Sequence, residues 1–481
     1  MLISALLSVV LMLVPQTAAP GATPGQLVPP AGQPGLHAMV DPRVEFMSAV
    51  ARTAGFEEYA MDNATSPYSK RVDELFAPYK NHPAFTTLRS LRNQHGVSFD
   101  AVMCLAMHVT APPLLQERVD FAAGAPRLDK RLDPEATRAL LVQLRDLAKA
   151  VKWMDFMERE NSFYVKAAGR LAAAANQAPL VEWFDANLGV RMGASYVLVP
   201  GLLNGGGCYG VGVQFPDGKA EELRPVIGCW KWDSEGLPVF DSNIVPLVAH
   251  ELCHSYTNAL VDRHAAELTE LGNALYAVNP ARMQRQAYGN GITVMYETLV
   301  RACVVRCMHD ILGPDAGKKA AEEEVKAGFL WVPALAEAMA TYQKERSTYP
   351  TLDAFVPQIK AVLEKELAAA QKVAGDAPRL VSSQPAAGAQ GVKPGDTQLR
   401  LEFDRAMRTD SFSITGSKDD VPANIKLVRT ENDGKVWIFS CTMAPGRTYT
   451  IGLNSPKFQG FKASNGTPLE PVRIRFSTAA Q

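Results

Sequence analysis

Residues 243–260 read NIVPLVAHELCHSYTNAL. Inside this run His250, Glu251 and His254 form an H-E-x-x-H pattern. On an α-helix, positions four apart lie one turn above each other on one face, so His250 and His254 can offer two imidazole nitrogens to a single ion. Glu251 is rotated about 100° from His250. It is a poor third ligand but is placed to take a proton from a water activated at the ion. A Lewis acid and a carboxylate base are what metal-assisted hydrolysis requires. The flanks suit the helix: Pro246 is tolerated in a first turn, and Leu247, Val248 and Leu252 supply an apolar side.

A catalytic zinc takes three protein ligands and keeps an open position. No histidine follows His254 at the short spacing with a glycine turn; His264 comes ten residues on. A glutamate on a second helix is the alternative. In VMYETLVRACVVRCMHD, Glu297 stands within an apolar helical run, where a carboxylate is costly unless paired or ligating. It is the favoured third ligand. Glu267 and Glu270, in AAELTELG, read as a solvated helical face. Arg301, one turn after Glu297, could hold that carboxylate in a salt bridge or meet a substrate carboxylate. Tyr256, Tyr288 and Tyr296 are candidates to stabilise an oxyanion. Each taken alone reads first as a packed aromatic, and the residues alone do not choose among the three.

The rest of the chain frames this helix. With 481 residues, 47% hydrophobic and 21% charged, it can bury sizeable cores in two or three domains. A net charge of -1 gives no electrostatic basis for binding nucleic acid or an anionic membrane. Leu2 to Val14 is an apolar run of signal-peptide length, followed by small residues at Thr17, Ala18 and Ala19, although no Lys or Arg precedes it. The expectation is a signal peptide at 1–19 and a Pro/Gly-rich flexible leader at 20–37. The product would be secreted or periplasmic, without a lipid-modified cysteine, since the first cysteine is Cys104. No other stretch is long and apolar enough to span a bilayer.

Helical patterning runs from Pro42 to Ala178, with TRALLVQLRDLAKAVKWMDFMERE as one long amphipathic stretch. SYVLVPGLL, GCYGVGVQF and RPVIGCWKW then read as strands of a small antiparallel sheet. Cys208 and Cys229 flank a hairpin there and could bridge it. Helices resume at Ile244 and continue to Val373, with Cys253, Cys303 and Cys307 as buried thiols. His108, in AVMCLAMHVT, reads as a core residue. NGGGCYG lacks the Lys-Ser/Thr of a phosphate loop; it could offer backbone groups to an extended substrate or form a simple hairpin. After a Pro/Gly-rich shift near residue 375, LRLEFD, NIKLVR, KVWIFSC, TYTIGL and VRIRFST alternate apolar and polar as a sandwich does. The fold class expected is α+β: a mainly helical domain at 38–373 with a small sheet, followed by an all-β sandwich at 374–481.

FAPYKNHPAF (Phe76 to Phe85), GVSFDAV (Gly96 to Val102), LVAHELCHSYTN and MYETLVRA together resemble a bacterial family of domains of unknown function regarded as secreted gluzincin-type metallopeptidases. The resemblance covers roughly residues 42–370. It implies a zincin-like fold, zinc as cofactor, His250, His254 and Glu297 as ligands, Glu251 as base, and a peptide or protein substrate. The interval from His254 to Glu297 is longer than in the thermolysin type. Residues from about 378 to 480 are similar to bacterial Ig-like domains of the S-layer type, which implies a spacer or an association with cell surface or glycan. Two rival expectations stand beside the peptidase. One is a degenerate, non-catalytic peptidase fold that binds. The other is a zinc hydrolase acting on an amide or ester outside proteins.

Overall fold

Proline after a short capping residue marks where several helices begin. In the computed structural model, which describes residues 35–61, 66–122, 125–216, 221–241, 243–455 and 457–480, α1 (Pro42–Thr53), α2 (Pro67–Phe76), α3 (Pro83–His95) and α5 (Pro134–Ala150) all start this way. Asp41, Ser66, His82 and Asp133 accept hydrogen bonds from backbone amides of the first turn, while proline occupies a position whose N–H would be unpaired anyway. The other helices before the first sheet are α4 (Asp100–His108), α6 (Trp153–Arg159), α7 (Asn161–Ala175) and α8 (Leu180–Leu188). The expected signal peptide, and the leader up to residue 34, lie outside the described residues.

The long amphipathic stretch expected from 137 to 160 is two helices. Between α5 and α6 the chain turns at Lys152, which takes φ +51°. The break drives Trp153 into the core, where its indole N–H donates to Pro42 O at 3.1 Å and its ring packs 5.5 Å from Phe46. Burying that indole in one large apolar cluster outweighs the local cost of a left-handed residue.

The sheet carries a correction. Strands β1 (His37–Ala38), β2 (Ala194–Gly201), β3 (Tyr209–Gln214) and β4 (Glu221–Gly228) lie in the order β1-β2-β4-β3. β3 and β4 form the antiparallel hairpin, but β2 runs parallel to both β1 and β4, so the sheet is mixed. Turn residues between runs signal a reversal only for the β3–β4 pair; from β2 the chain crosses to β3 at the sheet edge, and β4 returns between the two. Register also settles the cysteines. Tyr209 lies opposite Val226, so Cys208 falls opposite Ile227, two residues short of Cys229. Both thiols are free.

Beyond the sheet come α9 (Ile244–Arg263), α10 (Ala265–Val278), α11 (Pro280–Arg285), α12 (Gly291–Leu312), α13 (Pro314–Ala327), α14 (Val332–Lys344) and α15 (Leu352–Asp376). α12 packs on α9, α13 and α14. Contacts divide the chain into two compact units. One holds the residues up to Asn273 and Ala281–Lys360; the other holds Ala274–Pro280 and Ala361–Gln481.

The second unit contains β5 (Leu380–Gln384), β6 (Gly395–Phe403), β7 (Ile414–Thr415), β8 (Ala423–Glu431), β9 (Val436–Met443), β10 (Thr448–Leu453) and β11 (Val472–Ser477). They form two antiparallel sheets, β5-β6-β9-β8 and β11-β10-β7. Alternating inward residues, among them Leu399, Leu401, Trp437, Phe439 and Ile451, build its core with Phe461.

Candidate metal centre

α9 and α12 bring the three ligand candidates together. His250 and His254 project from α9, and Glu297 projects from the facing turn of α12. His250 Nε2 lies 3.4 Å from Glu297 Oε2, and His254 Nε2 lies 3.6 Å from Oε1. One donor atom from each residue falls within 4.8 Å of the other two. Three donors on tetrahedral directions about 2.0–2.1 Å from one ion stand about 3.3–3.4 Å apart. The two histidine–carboxylate distances, each to a different oxygen of Glu297, are close to that spacing. The imidazole planes are nearly perpendicular, at 81°.

Two of the three donor residues, His254 and Glu297, are held by partners outside the triad. Asn258, one turn after His254, has Oδ1 3.1 Å from His254 Nδ1, which fixes that nitrogen as the N–H and leaves Nε2 its lone pair. Glu297 is only 7% exposed. Its Oε2 accepts the Tyr288 phenol at 2.9 Å and the Arg301 guanidinium at 3.2 Å. Arg301 is itself pinned: it donates to Glu324 at 2.5 Å and to the Tyr288 oxygen at 2.9 Å, and lies 4.4 Å over the Phe329 ring. Burial works against a charged Glu297, but the two imidazoles and Arg301 outweigh it and hold the carboxyl far below its usual range. Burial pushes His254 down to about 4, so it is neutral and ready to ligate. For His250, burial is outweighed by the Glu297 carboxylate, and the net shift is upward.

Glu251 is 6% exposed, and burial pushes its carboxyl up to about 7. Beside α9 runs β3, the outer strand of its sheet. A Cβ on Gly210 would meet Glu251 O at 2.6 Å and His254 Cβ at 3.1 Å. Only glycine lets the strand press against the helix at this point. On the same side, Glu221 of β4 binds both Arg127 and Arg191, and Arg191 donates to Ser255 O of α9.

The other candidates are placed as follows. Tyr288 and Arg301 surround Glu297. The Tyr256 phenol donates to Asp185 at 2.9 Å and meets the Tyr196 phenol at 2.8 Å, while Tyr296 donates to Asp262. His264 pairs with Glu267 and Asp353, and Glu267 also with Lys360. His108 is fully buried, as are Cys253, Cys303 and Cys307. Sequence reasoning passed over Asn258, Glu324 and Gly210. Asn258 carried a signal, since it stands at i+4 from His254; Glu324 and Gly210 depend on packing between distant segments.

Residues 36–362 match a family described as a domain of unknown function (DUF4932), and residues 374–478 match a bacterial Ig-like domain. No curated protein matches the chain. Among solved structures, the crystal structure of CopC from Methylosinus trichosporium OB3b is similar at 15% identity, covering 21% of this chain and 93% of that one, with a TM-score of 0.17.

Proposed function

We propose that this chain, which belongs to the DUF4932 family of domains of unknown function, is a zinc-dependent peptide hydrolase with a zincin-like fold. The observation that carries the reading is the convergence of His250, His254 and Glu297 at spacings of 3.4 and 3.6 Å, with Glu251 beside them on the same helix. Two imidazoles and a carboxylate suit zinc with one position left open.

Zinc held there would supply Lewis acidity, lowering the pKa of water and polarising a carbonyl. The protein's own groups do the rest. Glu251 accepts the proton of the attacking water at its carboxylate and can deliver it to the leaving nitrogen. A carboxyl poised near neutral is suited to both transfers. Asn258 orients the His254 ring. Tyr288 and Arg301 keep Glu297 ionised and aimed between the histidines. β3, whose outer edge pairs with no strand among the described residues, offers backbone groups along which an extended peptide could lie.

Among the described residues no helix is long and apolar enough to cross a membrane. The apolar N-terminal run supports an exported enzyme. The Ig-like unit would serve as a spacer or a surface attachment.

Elemental analysis of protein purified without added metal tests the centre, with about one zinc per chain expected. A peptide-library digest tests the bond cleaved: products should vanish with a zinc chelator and return with zinc. No zinc uptake on titration would overturn the centre. Bound zinc without peptide products would turn the reading toward another amide or an ester.

A further inference from the structure

On the sheet face opposite α9, β4 presents Glu222 and Arg224, while Glu221 and its alternates face the helix. Against that opposite face lies a cavity of about 290 Å³. Three guanidinium groups, Arg43, Arg118 and Arg224, meet two carboxylates, Asp41 and Glu222, in its wall.

The pairing is uneven. Arg43 engages Asp41 through both carboxylate oxygens, at 2.9 and 2.5 Å. Arg118 engages Glu222 in the same forked way, at 3.0 and 2.7 Å. Each carboxylate is thereby satisfied by one arginine. Arg224 is left over. Its Nη1 donates to Ser195 O at 2.9 Å, Leu223 O at 3.1 Å and Ser195 Oγ at 3.2 Å, while its Nη2 lies 3.5 Å from Glu222, which Arg118 already holds. Yet the Arg224 side chain is only 12% exposed. Burial, with Arg43 and Arg118 close by, holds it below the ordinary arginine value. Asp41 and Glu222 are both held below the usual carboxylate range, so neither is neutral. The wall therefore carries one positive charge in excess, facing a half-open cavity.

We propose that this cavity binds a small molecule whose compact oxyanion group, a carboxylate or a phosphate, pairs with Arg224 while an apolar body rests on Met39 and Ala111. With Nη1 engaged by Ser195 and Leu223, the Nε and Nη2 side of the Arg224 guanidinium presents a planar fork that fits either oxyanion. The size, near the lower end of small-molecule sites of about 300 Å³, leaves room beyond a bare anion. The sheet separates this site from the metal triad, so occupancy does not require zinc.

Calorimetric titration of the full chain with benzoate, phenyl phosphate and neutral benzamide tests it. At least one anion should bind, benzamide should bind at least tenfold more weakly, and chelating zinc should leave the affinity unchanged. Which anion binds identifies the oxyanion. Arg224→Gln should weaken binding tenfold or more, and Glu222→Gln, which removes a competing negative charge, should tighten it. Failure of both anions to bind, equal binding of benzamide, or full affinity in Arg224→Gln would overturn the site. If Arg224→Gln does not fold, Glu222→Gln decides, and unchanged affinity there overturns it.

Discussion

Asn258 Oδ1 lies 3.1 Å from His254 Nδ1, one helical turn along α9. The contact sets which nitrogen of the imidazole carries the proton. Asn258→Ala removes it and frees the ring to rotate. We expect zinc affinity to fall about 10–100-fold, read by competition with a coloured chelator, with Asn258→Asp retaining most of the affinity.

Glu251→Gln keeps the shape of the side chain and removes its basicity. Hydrolysis should fall at least about 10²–10⁴-fold, while zinc content stays unchanged. Full activity in this variant would remove Glu251 from the mechanism.

Arg301 joins Glu297, Glu324 and Tyr288. Arg301→Met strands the buried Glu297 and the half-buried Glu324, and a loss of about 3–5 kcal/mol is expected in urea unfolding. Arg301→Lys keeps the charge but not the fork, so it should recover only part of the loss.

Gly210→Ala places a methyl group 2.6 Å from Glu251 O, where backbone must move. A cost of about 1–3 kcal/mol is expected, together with weaker zinc binding, because the same methyl presses on His254. A fully stable variant with native zinc affinity would show that strand and helix can separate freely.

Glu45 gives a pH dependence away from the metal centre. It is fully buried, accepts the Tyr68 phenol at 2.8 Å and the Leu202 amide at 2.9 Å, and burial pushes its carboxyl up to about 8. Below its unfolded value of about 4.3 the group is protonated in both states. Between that value and about 8 the unfolded chain releases the proton and the native chain keeps it. Its contribution to stability is thus whole at low pH and lost as pH rises through this window, by on the order of 5 kcal/mol. Glu45→Gln should flatten unfolding free energy over that window, measured by denaturant titration at several pH values.

The convergence of His250, His254 and Glu297 was legible because the signals were local: a four-residue interval on a helix, and an acid stranded in an apolar run. The mixed sheet was not. The parallel pairing of β2 with β4 rests on contacts across the chain, and the β2 run looks the same in either direction. The break at Lys152 was hidden too, since no glycine or proline marks it; the reward lies in where Trp153 goes. The arginine-lined cavity joins Arg43, Arg118 and Arg224 from three distant segments, so no single stretch announces it. The Ig-like unit was readable because alternation and turn residues recur throughout it.

Adjacent residues of β4 serve opposite sides: Glu221 braces α9 through Arg191, and Glu222 and Arg224 furnish the cavity wall. Sliding that strand by one position would exchange the two sets, burying arginine against α9 and emptying the wall behind it. Insertions or deletions of a single codon within β4 should therefore abolish both sites together, whereas changes in pairs could spare the polarity of each face.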